Sequence, residues 1–222
     1  MKLYPIVDFD ILQVGDIVLT TSDAMISELI RSGEEFSESS NLIRAIAAYG
    51  KDNIPSHSLM IYDPIKHLGF EQTWPIAKIY NLDEYKADGK GTHFIGVYRC
   101  PWLDDKHNLE SAKYLRDLLY NWMTKYISEK HGYGALNFPA FLTEKFGHII
   151  PEDKKHQVCS MVDTLALIKC VYCEGYDLNF PEDWIVSYKD NQATVGLVSP
   201  LDQDKVFNNL GWSIPFKKYI RK

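Results

Sequence analysis

The stretch "HQVCSMVDTLALIKC", residues 156–170, limits the possible folds more than any other part of the chain. From Cys159 onward, Met161, Val162, Leu165, Ala166, Leu167 and Ile168 leave hardly any polar face, the pattern of a helix buried on most sides. Such a helix must be covered by other elements. With 222 residues, 45% of them hydrophobic, the chain is long enough to build one sizeable core around it. A single domain over residues 1–222 is therefore expected. In this reading only the first helical turn meets solvent, and Cys159 stands in it. A thiol placed there faces unpaired backbone N–H groups and the positive end of the helix dipole, which favour the thiolate. A cysteine in an apolar run is most often a core residue, so Cys159 acquires chemical meaning only if a base stands near it.

The remaining pattern supplies a sheet. "VGDIVLTT" reads as a strand after a glycine turn, and "HSLMIYD", "LGFEQTW" and "HFIGVYRC" read as three more, bounded by "DP", by "PIAKIYNLDEYKADGKG" and by "PW". From Leu109 to Ile127 the apolar positions Ala112, Leu115, Leu118, Leu119, Trp122, Met123 and Tyr126 recur at three and four, which predicts a long amphipathic helix. "SDAMISELIRS" predicts a helix capped by Ser22, and "LIRAIAAYG" another. Between them "GEEFSESSN" opens a polar excursion, so a mobile insertion is expected over about 33–55. The tail, "DWIVSYKD" and "TVGLVSPLD", adds one or two short strands. "PFKKYIRK" reads as a solvated basic tail.

The base candidate is His57. On a strand its period-two face also carries Leu59 and Ile61, so the imidazole begins a face that otherwise packs inward. A lone strand histidine is usually structural, but Glu71 in "GFEQTW" falls on the neighbouring strand candidate, where its carboxylate can orient the ring and fix its tautomer.

These pieces, in the order "GDIVLT", "SHSLMIYD", "FEQTWP", a long helix, "GYGALNF" and "VCSMVD", resemble the circularly permuted branch of the NlpC-type papain-like cysteine hydrolases, the YiiX-like proteins. The resemblance covers roughly residues 14–170, with "LVSPLD" similar to the family's closing strand. It implies an α+β permuted papain-like fold, a small antiparallel sheet packed against the nucleophile helix. It also implies a Cys159–His57–Glu71 triad that cleaves amide bonds through a thioester, with peptidoglycan peptides the implied substrate class. The backbone N–H of Cys159 is the natural oxyanion donor, and Tyr133 resembles a family tyrosine that adds its hydroxyl. Val158 departs from the pattern, standing where an aromatic residue is usual, and the 33–55 segment is longer than the typical link. Two other functions stay open: a thioesterase or acyltransferase on lipid-linked substrates, since permuted relatives include lipid-acting enzymes, and a binding module that keeps the fold without turnover.

Composition narrows the partners. A formal net charge of −6 gives no general attraction to nucleic acid. Cys170 and Cys173 form a lone C-x-x-C without a second pair, so core packing is expected there, and neither His156 nor the other histidines bring a metal-binding cluster. No cofactor and no metal are expected, and the partners are peptide, muropeptide or acyl substrates. No apolar stretch reaches membrane-spanning length, and the acidic "MKLYPIVDFDILQVGD" lacks a signal-peptide core. With four cysteines, too few for a disulfide framework, the expected setting is cytoplasmic, or outside after lysis or carriage by a phage.

Overall fold

In the computed structural model, residues 3–21, 55–73, 75–84, 93–132, 159–189, 192–196, 198–215 and 217–221 are described. Five strands of alternating or apolar character, β2 (Ile17–Thr21), β3 (His57–Asp63), β4 (Leu68–Gln72), β5 (Ala77–Asn81) and β6 (His93–Tyr98), form one sheet in the order β5-β4-β3-β2-β6. Every neighbouring pair is antiparallel. The β3–β4 turn is built by Asp63, whose Oδ1 accepts from the N–H groups of Ile65 and Lys66, and by His67 in the left-handed region at φ 53°.

Strand alternation divides the core in two. Ile17, Leu19, Met60 and Phe70 pack under the helices, while Val18, Leu59, Ile61 and Val97 pack with Leu12, Leu82 and Phe94 in a second cluster on the other face. Helix α1 (Leu109–Ser128) is capped by Asn108, whose side chain accepts from the N–H of Ser111, and buries the stripe Ala112, Leu115, Leu119, Met123 and Tyr126. Helix α2 (Cys159–Cys170) is buried at every position except Lys169. It is covered by β3 and β4, by α1, and by a hairpin of β7 (Ile185–Lys189) and β8 (Gln192–Val195). No side of this helix is left to solvent, and this includes the first turn, expected to be open: Cys159 is 2% and Ser160 0% exposed, because neighbouring elements close over the helix start as well.

Helix α3 (Pro200–Asn209) covers the remaining flank. Ser199 and Asp202 make a reciprocal capping box with Pro200 in the first turn. Gln203 Nε2 donates to the Ser160 carbonyl and to Thr164 Oγ1, both at 3.0 Å, and Ser160 Oγ donates to the Val198 carbonyl at 2.6 Å. "LVSPLD" therefore leads into a helix rather than forming a closing strand. The C-terminal stretch differs too: Lys217–Arg221 is strand β9, antiparallel to β1 (Leu3–Val7), so backbone pairing takes up what reads as a solvated tail.

The "GD" of the first sheet strand has a structural role. Gly15 sits at φ 89°, and a Cβ there would come within 2.7 Å of Leu103 and Leu119 side-chain atoms, so only glycine fits. Asp16, fully buried, receives a two-pronged contact from Arg99, Nε to Oδ1 at 2.8 Å and Nη2 to Oδ2 at 2.7 Å. Burial pushes the Asp16 carboxyl up, against the pull of Arg99 and of the Gln13 N–H.

The architecture is α+β, a five-stranded antiparallel sheet with helices. Apart from Pro55, the 33–55 segment lies outside the described residues, as do the helices expected at 22–32 and 42–50. Among the described residues no helix is long and apolar enough to cross a membrane.

Candidate functional site

His57 is the first residue of β3, opposite Thr20 of β2, and Glu71 lies near the end of β4. The β3–β4 ladder pairs Met60 with Phe70, which gives His57 and Glu71 the same parity and puts the longer glutamate side chain within diagonal reach. Nε2 of His57 lies 2.6 Å from Oε1 of Glu71, with side-chain exposures of 20% and 9%. The oxygen sits off the N–H axis, so the contact is a close ionic approach rather than an aligned hydrogen bond.

Cys159, the third member, is 2% exposed. Burial acts against the charged form of His57 and is the strongest single influence. The charge and polar contact of the Cys159 sulfur, then those of Glu71, outweigh it and hold the imidazole well above its ordinary range. Two residues, Glu71 from β4 and Cys159 from α2, therefore act on one ring carried by β3. The way they meet differs from simple strand alternation. Leu59 and Ile61, on the parity of His57, belong to the cluster away from α2, whereas Ser58 and Met60 face the helix side. His57 meets the sulfur at the start of the strand, where the sheet ends, and not from the helix-covered face.

A fourth residue belongs to this neighbourhood and escapes the sequence reading. Asp163, four residues after Cys159 and 1% exposed, accepts a 2.6 Å hydrogen bond from Ser58 Oγ. Burial drives its carboxyl up to about 7, with the Glu71 charge adding to the rise and Ser58 and His57 opposing it. The available signal was a lone carboxylate inside an otherwise buried run, since such a group needs a partner. Gln72 is a second such residue. It is buried beside Glu71, and its Nε2 donates to the Gly132 carbonyl at 2.9 Å, tying the end of β4 to the segment that leads to Tyr133. Tyr133 itself, and with it Val158 and His156, lies outside the described residues.

The other cysteines have different surroundings. Cys100 and Cys170 are buried, and burial pushes both thiols up to about 12. Cys173 is half-buried. His131 pairs with Glu129 at 2.8 Å and stacks on Tyr126. Among the described residues no group of three His, Cys, Asp or Glu could hold a metal ion. No family model and no curated protein matches the chain.

Proposed function

We propose that the chain is a cysteine hydrolase that cleaves amide bonds through a thioester, with Cys159 as nucleophile, His57 as general base and acid, and Glu71 as the residue that orients and charges the imidazole. The observation that carries this reading is the convergence of side chains from three elements: Glu71 Oε1 lies 2.6 Å from His57 Nε2, and the sulfur of the buried Cys159 interacts with the same ring. With Nε2 beside Glu71, the scheme assigns proton exchange with the sulfur to Nδ1. The thiolate attacks the carbonyl carbon, forming a C–S bond. The imidazolium then gives its proton to the departing amine as the C–N bond breaks, and a water activated by the same ring hydrolyses the thioester. The Cys159 N–H is the oxyanion donor in this scheme.

The order of base strand, orienting strand and late nucleophile helix also fits a permuted papain-like fold, and from that likeness peptidoglycan peptides are the proposed substrates. A thiol-reactive activity probe competed with muropeptides or with acyl thioesters tests the reading. Labelling of Cys159 that muropeptides suppress supports it, while suppression by acyl thioesters alone moves the assignment to a thioesterase or acyltransferase. Failure to label Cys159 in the folded protein would leave a binding module on the same architecture.

A further inference from the structure

We propose that Asp163 and Ser58 are a positioning pair that holds the nucleophile helix against the base strand, so that the sulfur and the imidazole meet. The inference rests on the cysteine-hydrolase reading above. Ser58 follows His57 directly in β3, and Asp163 lies one helical turn after Cys159, on the same side of α2. Their 2.6 Å hydrogen bond therefore joins the two elements one residue from the base and one turn from the nucleophile.

The direction in which the polar residues of α2 point supports a specific role. Ser160 and Thr164 bond toward Val198 and Gln203, on the α3 side of the helix. Asp163 bonds instead to Ser58 of β3. A fully buried carboxylate is a costly means of packing a helix, since an apolar residue of similar volume would fill the space without losing hydration. What the carboxylate adds is a directional acceptor that fixes how far α2 slides along β3. Misplacement of reacting groups by about 1 Å can cost on the order of a hundredfold in rate, so such a constraint has consequences for chemistry.

The groups that interact electrostatically with Asp163 are His57 on β3, Glu71 on β4 and Tyr126 on α1, whose hydroxyl is raised first by burial and then by the Asp163 charge; Cys159 lies on its own helix. With its carboxyl held near 7, the pair changes charge in the neutral range. Ionised Asp163 then adds to the negative potential that favours imidazolium.

The experiment uses the full-length protein and follows alkylation of Cys159 by iodoacetamide from pH 5 to 9, with the modified peptide quantified by mass spectrometry. Ser58→Ala and Asp163→Ala should slow alkylation about ten- to a hundredfold at neutral pH. Asp163→Asn, which keeps an acceptor for Ser58, should recover most of the rate and lose the inflection near pH 7. His57→Ala serves as the control. If it alkylates like wild type, the cysteine–histidine reading itself fails. If His57→Ala is slow while Ser58→Ala and Asp163→Ala match wild type, that reading stands and the positioning role is overturned. An Asp163→Asn variant as slow as Asp163→Ala also overturns it, because charge and not the directional bond would then matter. Should Asp163→Ala fail to fold, Ser58→Ala, which removes one hydroxyl, decides alone.

Discussion

Two buried polar centres flank the β2–β3 pair, one at each end, and they are built on opposite plans. At the Asp16 end, one carboxylate meets one guanidinium in a two-pronged contact, with the Gln13 N–H supplying a further bond at 2.9 Å. Charge is balanced and each oxygen has an aligned donor. At the His57 end, the Glu71 carboxylate and the Cys159 thiol act on a single imidazole, the His57–Glu71 contact lies off axis, and a second carboxylate, Asp163, which feels the imidazole through charge, is pushed up to about 7 by burial. The first centre suits holding strands together. The second has more acid than base in a poorly solvated place, an arrangement that costs stability and keeps protons exchangeable near neutrality.

This contrast can be broken experimentally from either side. The largest effect is expected from Cys159→Ala, which should abolish acyl capture and turnover outright while the Asp16 end, and the thermal midpoint, stay close to wild type; Ser160 cannot substitute, because its hydroxyl is committed to the Val198 carbonyl. Arg99→Ala should do the reverse. It leaves Asp16 buried without its partner, at a cost of about 3–5 kcal/mol in chemical denaturation, with little change in the Cys159 alkylation rate of the molecules that remain folded. Glu71→Gln keeps the shape but removes the charge that favours imidazolium and can present its amide N–H₂ to the ring. Turnover should fall about ten- to a thousandfold without vanishing, as steady-state rates would record.

The smallest effect sharpens the comparison through pH. The Asp163 carboxyl titrates near 7 in the folded chain and near its ordinary 3.8 when unfolded. Between those values the folded state binds more protons than the unfolded one, so Asp163 reduces stability progressively as pH rises from about 4 to about 7 and by a constant amount above that. Asp163→Asn removes this slope. Relative to wild type it should gain about 3 kcal/mol more at pH 8 than at pH 5, measured by denaturant unfolding at both values. His57 works in the opposite sense. Its raised folded value contributes stability that is complete below about 6.5 and is lost as pH climbs through the folded value.

The parts of this picture that sequence periodicity reveals are those where one face alone decides burial. β2, β3, β4 and β6, the stripe of α1 and the encased α2 follow from alternation, a 3.6 period and an unbroken apolar run. β5 is different: "AKIYN" is buried at Ala77 but exposed at Lys78 and Asn81, as an edge strand is, and proline and turn residues on both sides hide it. α3 is hidden by its polarity, although the Ser199–Pro200–Asp202 cap was readable as a helix start. In the site, His57, Glu71 and Cys159 stand out because their side chains have catalytic chemistry. Asp163 and Ser58 do not, since their significance lies in meeting each other, and no local pattern encodes a contact between a strand near the start of the chain and a helix 105 residues later.

That same separation bears on the order of assembly. The turns joining β3, β4 and β5 bring near neighbours together, and closing such short loops requires little loss of chain freedom. The Ser58–Asp163 contact must close a loop of 105 residues before it returns any stabilisation. On contact-order grounds the hairpins are expected to form early and the contact of α2 with the start of β3 late. A nascent chain is therefore expected to possess its sheet before Cys159 meets His57, so that this pair is assembled only after the stage at which partly folded molecules are most exposed to one another.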